Sequence, residues 1–165
     1  METTNLREVT YRDSPLPSDS DAIRTIVSSS GFFSPQEIEV AVELVREREI
    51  KGLSSGYFFI FAEKDNKVGG YTCFGPIPCT AESFDIYWIA VLESLRRLGL
   101  GLELLKRTEA TIRRLGGKRI YVETSSRPQY DPTRAFYRTC GYREAAVLEH
   151  FYSANDHKII FLKVL

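Results

Sequence analysis

The sequence has few of the residues that build metal sites and disulfide frameworks. Its 165 residues include three cysteines and two histidines. Cys73, Cys79 and Cys140 are odd in number and lack the close spacing of metal ligands, and His150 and His157 stand together near the C-terminus. We therefore predict neither a structural metal nor a disulfide framework.

Long apolar runs and an excess of one charge are also missing. The longest apolar runs, YFFIFA and IYWIAVL, are far shorter than the roughly 20 residues of a membrane-spanning helix, and METTNLREVT lacks the character of a signal peptide. The 22 basic residues balance 22 acidic ones, so no global field attracts nucleic acid or an anionic membrane. The sequence predicts a cytoplasmic protein with neither nucleic acid nor membrane as a partner.

The chain does contain enough apolar sequence for one folded domain. Apolar residues make up 43% of it, and 165 residues is the length of one ordinary domain. We find no internal repeat and no low-complexity linker, so we predict a single domain over residues 1–165. A homodimer is possible, but no feature of the sequence argues for it.

Alternation, capping and turn signals predict the element order βαα-βββ-αβ-αββ, beginning with a strand at NLREVTYR. The clearest helix start is Ser34-Pro35-Gln36-Glu37, a capping box whose helix ends at Gly52. The segment KDNK predicts a hairpin, and DPTRAFYRTCG predicts a helix capped by Asp131. This order is typical of an α/β fold in which helices flank both faces of a mixed sheet.

The junction ESLRRLGLGLELLKR joins the apolar strand FDIYWIAVL to a predicted helix from Gly99 to Leu115. A strand that runs into a glycine-rich turn opening a helix presents free backbone N–H groups and the positive end of the helix dipole. Gly99 and Gly101 allow close approach to the backbone, and Arg96 or Arg97 adds a charged fork. We predict an anionic ligand, while a tight turn with solvated arginines stays open as the alternative.

Two other anion-binding motifs fit the junction less well. A P-loop needs Gly-Lys-Ser/Thr, and here Gly101 is followed by Leu102 and Glu103. A dinucleotide-binding fold would explain Glu123, which closes the next strand about 20 residues downstream. However, Leu104 replaces its third glycine and no second βαβ half follows. The dinucleotide-binding module remains an alternative hypothesis.

The segment Arg96-Arg97-Leu98-Gly99-Leu100-Gly101 resembles the Q/R-x-x-G-x-G/A signature of the GNAT acetyltransferase superfamily. A second segment, AFYRTCGY, is similar to the family's A-x-x-(F/L)-Y-x-x-x-G-(F/Y) pattern from the aromatic pair onward. The resemblance implies a single GNAT domain with a central mixed, mostly antiparallel sheet of about seven strands and about four helices. It also implies acetyl-CoA as the acetyl donor and no metal.

The resemblance assigns positions for the donor. In GNAT enzymes the pantetheine arm pairs with the end of the fourth strand, which corresponds here to Ile89, Ala90 and Val91. Backbone amides of the following turn hold the pyrophosphate. The positions implied for that turn are Arg96, Arg97, Leu98, Gly99, Leu100, Gly101 and Leu102. Many family members have glycine where this chain has Arg97.

The resemblance also implies an acid and a base for direct transfer. Tyr137 matches the tyrosine that protonates the leaving thiolate, and Asp85 falls where some members carry a glutamate that deprotonates the acceptor. An alkyl amine is mostly protonated at neutral pH, so a carboxylate must take its proton before attack. Glu123, Glu82 and Glu149 are further candidates for that base.

The acceptor is predicted from the elements that flank it in the family. The candidate acceptor-binding residues are Phe32, Phe33, Tyr87, Glu123, Arg127, Tyr130 and Tyr152. We favour a small amine or amino-acid-like metabolite, and a protein N-terminus or lysine is the alternative acceptor. A non-catalytic acyl-CoA sensor is an alternative hypothesis in which the protein is not an enzyme. Such a sensor would keep the donor site and lack the catalytic acid and base.

Overall fold

The computed structural model describes residues 8–165, which contain seven strands and four helices. The elements are β1 Thr10–Arg12, α1 Asp19–Ser29, α2 Pro35–Lys51, β2 Phe58–Lys64, β3 Lys67–Pro76, β4 Ser83–Val91, α3 Leu100–Arg114, β5 Arg119–Ser125, α4 Asp131–Thr139, β6 Arg143–Ser153 and β7 Asp156–Val164. The predicted element order is confirmed. Part of the predicted first strand, residues 5–7, lies outside the described residues.

The strands are ordered β1-β2-β3-β4-β5-β7-β6. Strands β4 and β5 pair in parallel, whereas β1 with β2, β2 with β3, β5 with β7 and β6 with β7 pair antiparallel. The predicted mixed, mostly antiparallel sheet is therefore confirmed. The chain divides into two compact units, an N-terminal unit of Met1–Gly75 with Trp88–Ala110 and a C-terminal unit of Pro76–Tyr87 with Thr111–Leu165.

In the N-terminal unit, side chains of β3 alternate between two helical layers. Tyr71 and Cys73 are buried in a core with residues of α1, α2 and β2. That core includes Ile23, Ile26, Val27, Ala41, Val42, Val45, Phe59 and Phe61. Thr72 faces the other way, and its hydroxyl hydrogen-bonds that of Thr108 on α3 at 2.9 Å. Helices therefore cover both faces of β3, as the sequence predicts.

Two local predictions in this unit are confirmed. The Ser34 N–H donates to Glu37 Oε2 at 2.7 Å, and the Glu37 N–H donates to Ser34 Oγ at 3.2 Å, which completes the capping box. Gly52 ends α2 with a φ of 61°. Asp65 and Asn66 in KDNK have φ values of 51° and 59°, as a tight turn between β2 and β3 requires.

In the C-terminal unit, α4 packs on β7 through aromatic side chains. The Tyr137 and Phe161 ring centroids are 5.8 Å apart, and Val122 of β5 pairs with Phe161. The prediction that Asp131 caps α4 is wrong. Asp131 is the first helical residue and its carboxylate accepts a hydrogen bond from Arg134, while Tyr130 holds the cap position and its side chain does not cap the helix. Arg134, a nearby partner in the first turn, takes the carboxylate that capping would have used.

Candidate active site

The turn between β4 and α3 lies in the N-terminal unit. A short 3-10 turn follows β4, and then Arg97 and Gly99 take positive φ values of 63° and 84°. Helix α3 begins at Leu100, and the Glu103 N–H donates to Gly99 O at 3.1 Å. The earlier N–H groups of a helix have no carbonyl within the helix to bind, and they stand at the positive end of its dipole. This turn therefore presents backbone donors suited to an anion.

Three contacts hold the turn against neighbouring elements of the N-terminal unit. The Leu92 N–H donates to Gly69 O at 2.8 Å, and the Glu93 N–H donates to Ser29 Oγ at 3.2 Å. Leu95 lies so close to Gly69 that a Cβ there would be 2.4 Å from Leu95 Cδ1. Our sequence reasoning missed Gly69 and Ser29, because only the fold brings them to the turn.

The arginines and phenylalanines predicted for this region have different roles in the structure. Arg96 donates from Nε to Val91 O at 3.4 Å, and its guanidinium carbon lies 5.9 Å from the Phe32 ring centroid. Phe33 instead packs edge-on against Trp88 at 4.9 Å, on the apolar core. Arg96 and Arg97 are both exposed. Two exposed cations beside a row of backbone donors fit a pyrophosphate.

The C-terminal unit brings two of the candidate carboxylates together. Asp85 of β4 pairs with Tyr121 of β5 in the parallel ladder, and Glu123 lies two residues further along the same face. Burial raises the pKa of Asp85 to about 6, and the negative charge of Glu123 adds to the rise, while Lys158 opposes it. A carboxyl with that pKa is a stronger base than an ordinary aspartate and is still ionised at pH 7.

Lys158 of β7 completes this cluster and was not predicted from the sequence. Its Nζ lies 2.7 Å from Glu123 Oε2. The same ammonium lies 3.7 Å from the ring centroid of Phe151 and 5.8 Å from that of Tyr152. The side chain of Lys158 is 12% exposed and that of Glu123 is 50% exposed, so the cation is the more deeply placed partner. No local sequence signal joins these residues, which lie on different strands.

The other two candidate bases have different surroundings. Glu82 lies 2.5 Å from Lys118 Nζ and 3.6 Å from Arg119, and the hydrogen bond from Lys118 lowers the pKa of Glu82. A lowered pKa makes that carboxylate a weaker proton acceptor. Glu149 is exposed on β6. Among these residues, Asp85 has the environment best suited to a general base.

Tyr137 is held in an aromatic cluster and is 2% exposed. Its ring centroid lies 5.5 Å from those of both Phe136 and Tyr142. Burial raises the pKa of Tyr137, so the phenol keeps its proton at neutral pH. The phenol is therefore in the protonated form that a proton donor requires.

The loop after β5 is fixed by its own polar contacts. Arg127 Nε lies 3.1 Å from Asp156 Oδ2, and its guanidinium carbon lies 5.6 Å from the Tyr130 ring centroid. Ser125 Oγ donates to Asp156 Oδ1 at 2.5 Å, and Arg134 donates to the Ser125 carbonyl at 2.5 Å. The guanidinium of Arg127, a predicted acceptor-binding residue, therefore already contacts Asp156 and Tyr130 of the same chain.

The structure divides the predicted site residues between the two units. The N-terminal unit contains the donor positions Ile89–Val91 and 96–102, together with Phe32 and Phe33. The C-terminal unit contains Asp85, Tyr87, Glu123, Arg127, Tyr130, Tyr137 and Tyr152. Tyr87 is 37% exposed and lies on the same face of β4 as Asp85.

Neither a metal cluster nor a membrane span is found in the part of the chain that the structure describes. Within residues 8–165, no group of three or more histidine, cysteine, aspartate or glutamate side chains is placed to hold a metal ion. Over the same residues, no helix is both long enough and apolar enough to cross a bilayer.

Residues 22–142 match the sequence model of the Acetyltransferase (GNAT) family. The chain belongs to this family. A curated relative, an N-alpha-acetyltransferase from Sulfurisphaera tokodaii, is 30% identical over 108 residues, which cover 59% of this chain and 64% of the relative. The aligned part of this GNAT chain thus spans less than two thirds of that relative's length.

Solved structures share the GNAT fold over nearly the whole chain. A crystal structure from Desulfovibrio desulfuricans, assigned to the GNAT family of acetyltransferases, is 43% identical with a TM-score of 0.93 and covers 94% of this chain and 98% of its own. An aminoglycoside 6'-N-acetyltransferase in complex with coenzyme A is 16% identical with a TM-score of 0.72, covering 94% and 96%. At that identity the second likeness concerns the fold alone.

Proposed function

We propose that this chain transfers an acetyl group from acetyl-CoA to a primary amine by direct attack, and that residues 1–165 form one GNAT domain. The observation that carries the proposal is the turn after β4, where Arg97 and Gly99 in left-handed conformations lead into the first N–H groups of α3. Membership of the family adds support, since the match runs through residues 22–142.

Each proposed residue has one role. Backbone N–H groups at 96–102 and the guanidinium groups of Arg96 and Arg97 hold the pyrophosphate, and Ile89–Val91 hold the pantetheine arm. When bound, acetyl-CoA supplies the thioester that the amine attacks. Asp85 takes the proton from the acceptor ammonium, and Tyr137 gives a proton to the departing thiolate. No enzyme nucleophile is required.

The acceptor is proposed to be an α-amino group. The pKa of Asp85, about 6, is about two units below that of an α-ammonium and about four units below that of a lysine ammonium. Each unit costs about 1.4 kcal/mol of proton transfer, so Asp85 is better matched to an α-amine. The name of the relative, an N-alpha-acetyltransferase, also points to an α-amino group. We propose a polypeptide N-terminus as the first candidate. An amino-acid-like metabolite carries the same group and is the second candidate.

The donor is tested by thermal unfolding with acetyl-CoA, CoA, NAD or buffer alone. A ligand at about 100 times its dissociation constant stabilises the folded state by roughly 2.7 kcal/mol, which raises the midpoint by several degrees for a domain of this size. We expect a rise with acetyl-CoA and CoA. A rise with NAD alone would favour the dinucleotide-binding alternative.

The acceptor is tested by thiol release with three amines. These are a lysine-free peptide with a free N-terminus, its N-acetylated counterpart carrying one lysine, and alanine amide. We expect release with the free N-terminus to exceed release with the lysine peptide by at least about tenfold, because of the pKa match. Greater activity on alanine amide than on the free peptide would favour a metabolite acceptor.

A sensor is separated from an enzyme by Tyr137→Phe. An enzyme should lose about tenfold or more in turnover and keep acetyl-CoA binding, whereas a sensor loses neither. Tyr71→Phe is the matched control, because Tyr71 is also a buried tyrosine and its hydroxyl has no hydrogen-bond partner within residues 8–165. Equal turnover in the two variants would remove Tyr137 from the chemistry.

A further inference from the structure

We propose that Lys158 is a positioning residue of the acceptor side, which fixes Glu123 and the Phe151–Tyr152 pair and so leaves Asp85 to accept the proton. This inference rests on the proposed function, in which Asp85 is the base. It assigns a role to a residue that no sequence motif marks.

Strand register places the three charged side chains on one face of the sheet in the C-terminal unit. Asp85 pairs with Tyr121, and Glu123 follows two residues later on β5. Lys158 pairs with Ser125, two residues beyond Glu123, so it shares that face. Residues from β4, β5 and β7 therefore meet in one row, and substitution of any of them alters the electrostatic field at the others.

The ammonium of Lys158 contacts both the Glu123 carboxylate and two aromatic rings. Removal of an ammonium from water is costly unless opposite charge and polarizable surface replace the lost hydration. Glu123 Oε2 at 2.7 Å provides the charge, and the rings of Phe151 at 3.7 Å and Tyr152 at 5.8 Å provide the surface. The Lys158 ammonium therefore occupies Glu123 Oε2, and that oxygen is not available to an acceptor amine.

Asp85 forms no ion pair with any of residues 8–165. On the same face of the sheet, the titratable groups nearest to it in register are Tyr87 on its own strand, Arg119, Tyr121 and Glu123 on β5, and Lys158 on β7. Glu123 raises the pKa of Asp85 and Lys158 lowers it. The two partners of one ion pair therefore shift the pKa of Asp85 in opposite directions. Removal of either partner should change the titration of Asp85, which loss of a lysine far from Asp85 would not do.

The proposal is tested with Lys158→Met and Glu123→Gln. We measure kcat/KM from pH 5 to pH 9 with a free N-terminal peptide, and we follow the side-chain carboxyl of Asp85 by carbon NMR over the same range. We expect Lys158→Met to move the acid limb and the Asp85 titration upward by up to about one pH unit, and Glu123→Gln to move both downward by a similar amount. Lys158→Arg, which retains the charge, should leave both near their original positions.

Lys163→Met is the matched control. Lys163 lies on β7 with its ammonium 5.4 Å from the Tyr142 ring centroid and 2.8 Å from the Cys140 carbonyl oxygen, so it also combines a ring contact with a polar contact. Side chains alternate between the two faces of a strand, and Lys163 is five residues after Lys158, so the two lysines lie on opposite faces of β7. We expect it to lose stability without any shift of the acid limb.

Each contrary result has a separate meaning. An unmoved Asp85 titration in folded Lys158→Met, or an equal shift in Lys163→Met, would overturn the role of Lys158 and leave Asp85 as the base. A moved titration with an unmoved acid limb would overturn both this inference and the base assigned under the proposed function. If no amine is acetylated at all, the proposed function fails. In that case, a shift of the Asp85 titration upward in Lys158→Met and downward in Glu123→Gln would still support the electrostatic coupling of Lys158 and Glu123 to Asp85.

Discussion

The turn at 96–102, proposed as the donor site, and the cluster of Asp85, Glu123 and Lys158, proposed as the acceptor cluster, offer different kinds of chemical group to a ligand. The turn at 96–102 relies on backbone N–H groups, and its shape depends on Arg97 and Gly99 at positive φ. The acceptor cluster relies on the ionisable side chains of Asp85, Glu123 and Lys158, which come from three strands. Backbone recognition requires particular residues at fixed local spacing, whereas side-chain recognition requires only that the fold bring the groups together.

That difference predicts how each region responds to substitution. Changes in the turn should alter donor affinity and local backbone strain, with little effect on proton transfer. Changes in the cluster should alter turnover and its pH dependence, with little effect on donor affinity. The following four predictions test this separation, from the largest expected effect to the smallest.

Asp85→Asn should give the largest loss of activity. We expect kcat/KM for the amine to fall about 100-fold to 10,000-fold, since an amide cannot accept the proton, while acetyl-CoA still raises the unfolding temperature. Glu82→Gln is the control and should stay within about twofold, because Lys118 already holds that carboxylate at a low pKa. Loss of activity in Glu123→Gln with full activity in Asp85→Asn would transfer the base to Glu123.

Gly99→Ala should weaken donor binding by about tenfold, because a side chain at a φ of 84° strains the backbone that presents the N–H groups. Gly116→Ala is matched in conformation, with a φ of 88°, and a Cβ there would meet no atom within 4 Å. Both variants should lose about 1 kcal/mol of stability. Calorimetric titration with acetyl-CoA distinguishes them, and an equal loss of affinity in both would contradict a local donor site.

Asp85→Asn should also make stability less dependent on pH. The pKa of Asp85 is about 6 in the folded protein against an ordinary value of 3.8, so the folded state binds this proton more tightly than the unfolded state. The stabilising contribution of the carboxyl is complete below about pH 4 and is lost as pH rises through about 6. Thermal unfolding at a series of pH values should show that the stability of the variant, relative to that of the parent, increases as the pH rises from about 4 to about 6. A gain independent of pH would exclude this explanation.

Arg97→Gly should have the smallest effect. Glycine adopts a φ of 63° without strain, so we expect a gain of about 1 kcal/mol in the free energy of unfolding. Arg97→Ala removes the same guanidinium but retains the strain, so the difference between the two variants in urea unfolding isolates the backbone contribution. Equal stabilities would show that Arg97 is not strained.

The sequence was most informative where the signal is local. The capping box at Ser34, the hairpin turn at Asp65 and Asn66, and the strand-to-helix junction with Gly99 are each decided within a few residues. Asp131 shows the limit of such reasoning, since its cap prediction failed once Arg134 took the carboxylate. The donor and acceptor residues named from the sequence remain predictions, but the junction that prompted them has the backbone conformation an anion site needs.

The sequence alone determined the family, the element order and the turn after β4, because backbone chemistry is encoded by spacing along the chain. Three contacts were decided only by the tertiary structure. Gly69 leaves space for the Leu95 side chain, and Lys158 forms an ion pair with Glu123. The charges of both members of that pair act on the pKa of Asp85. Contacts of this kind depend on strand register, which sets the distance between side chains, and on burial, which sets the local dielectric. A short stretch of sequence determines neither the register nor the burial.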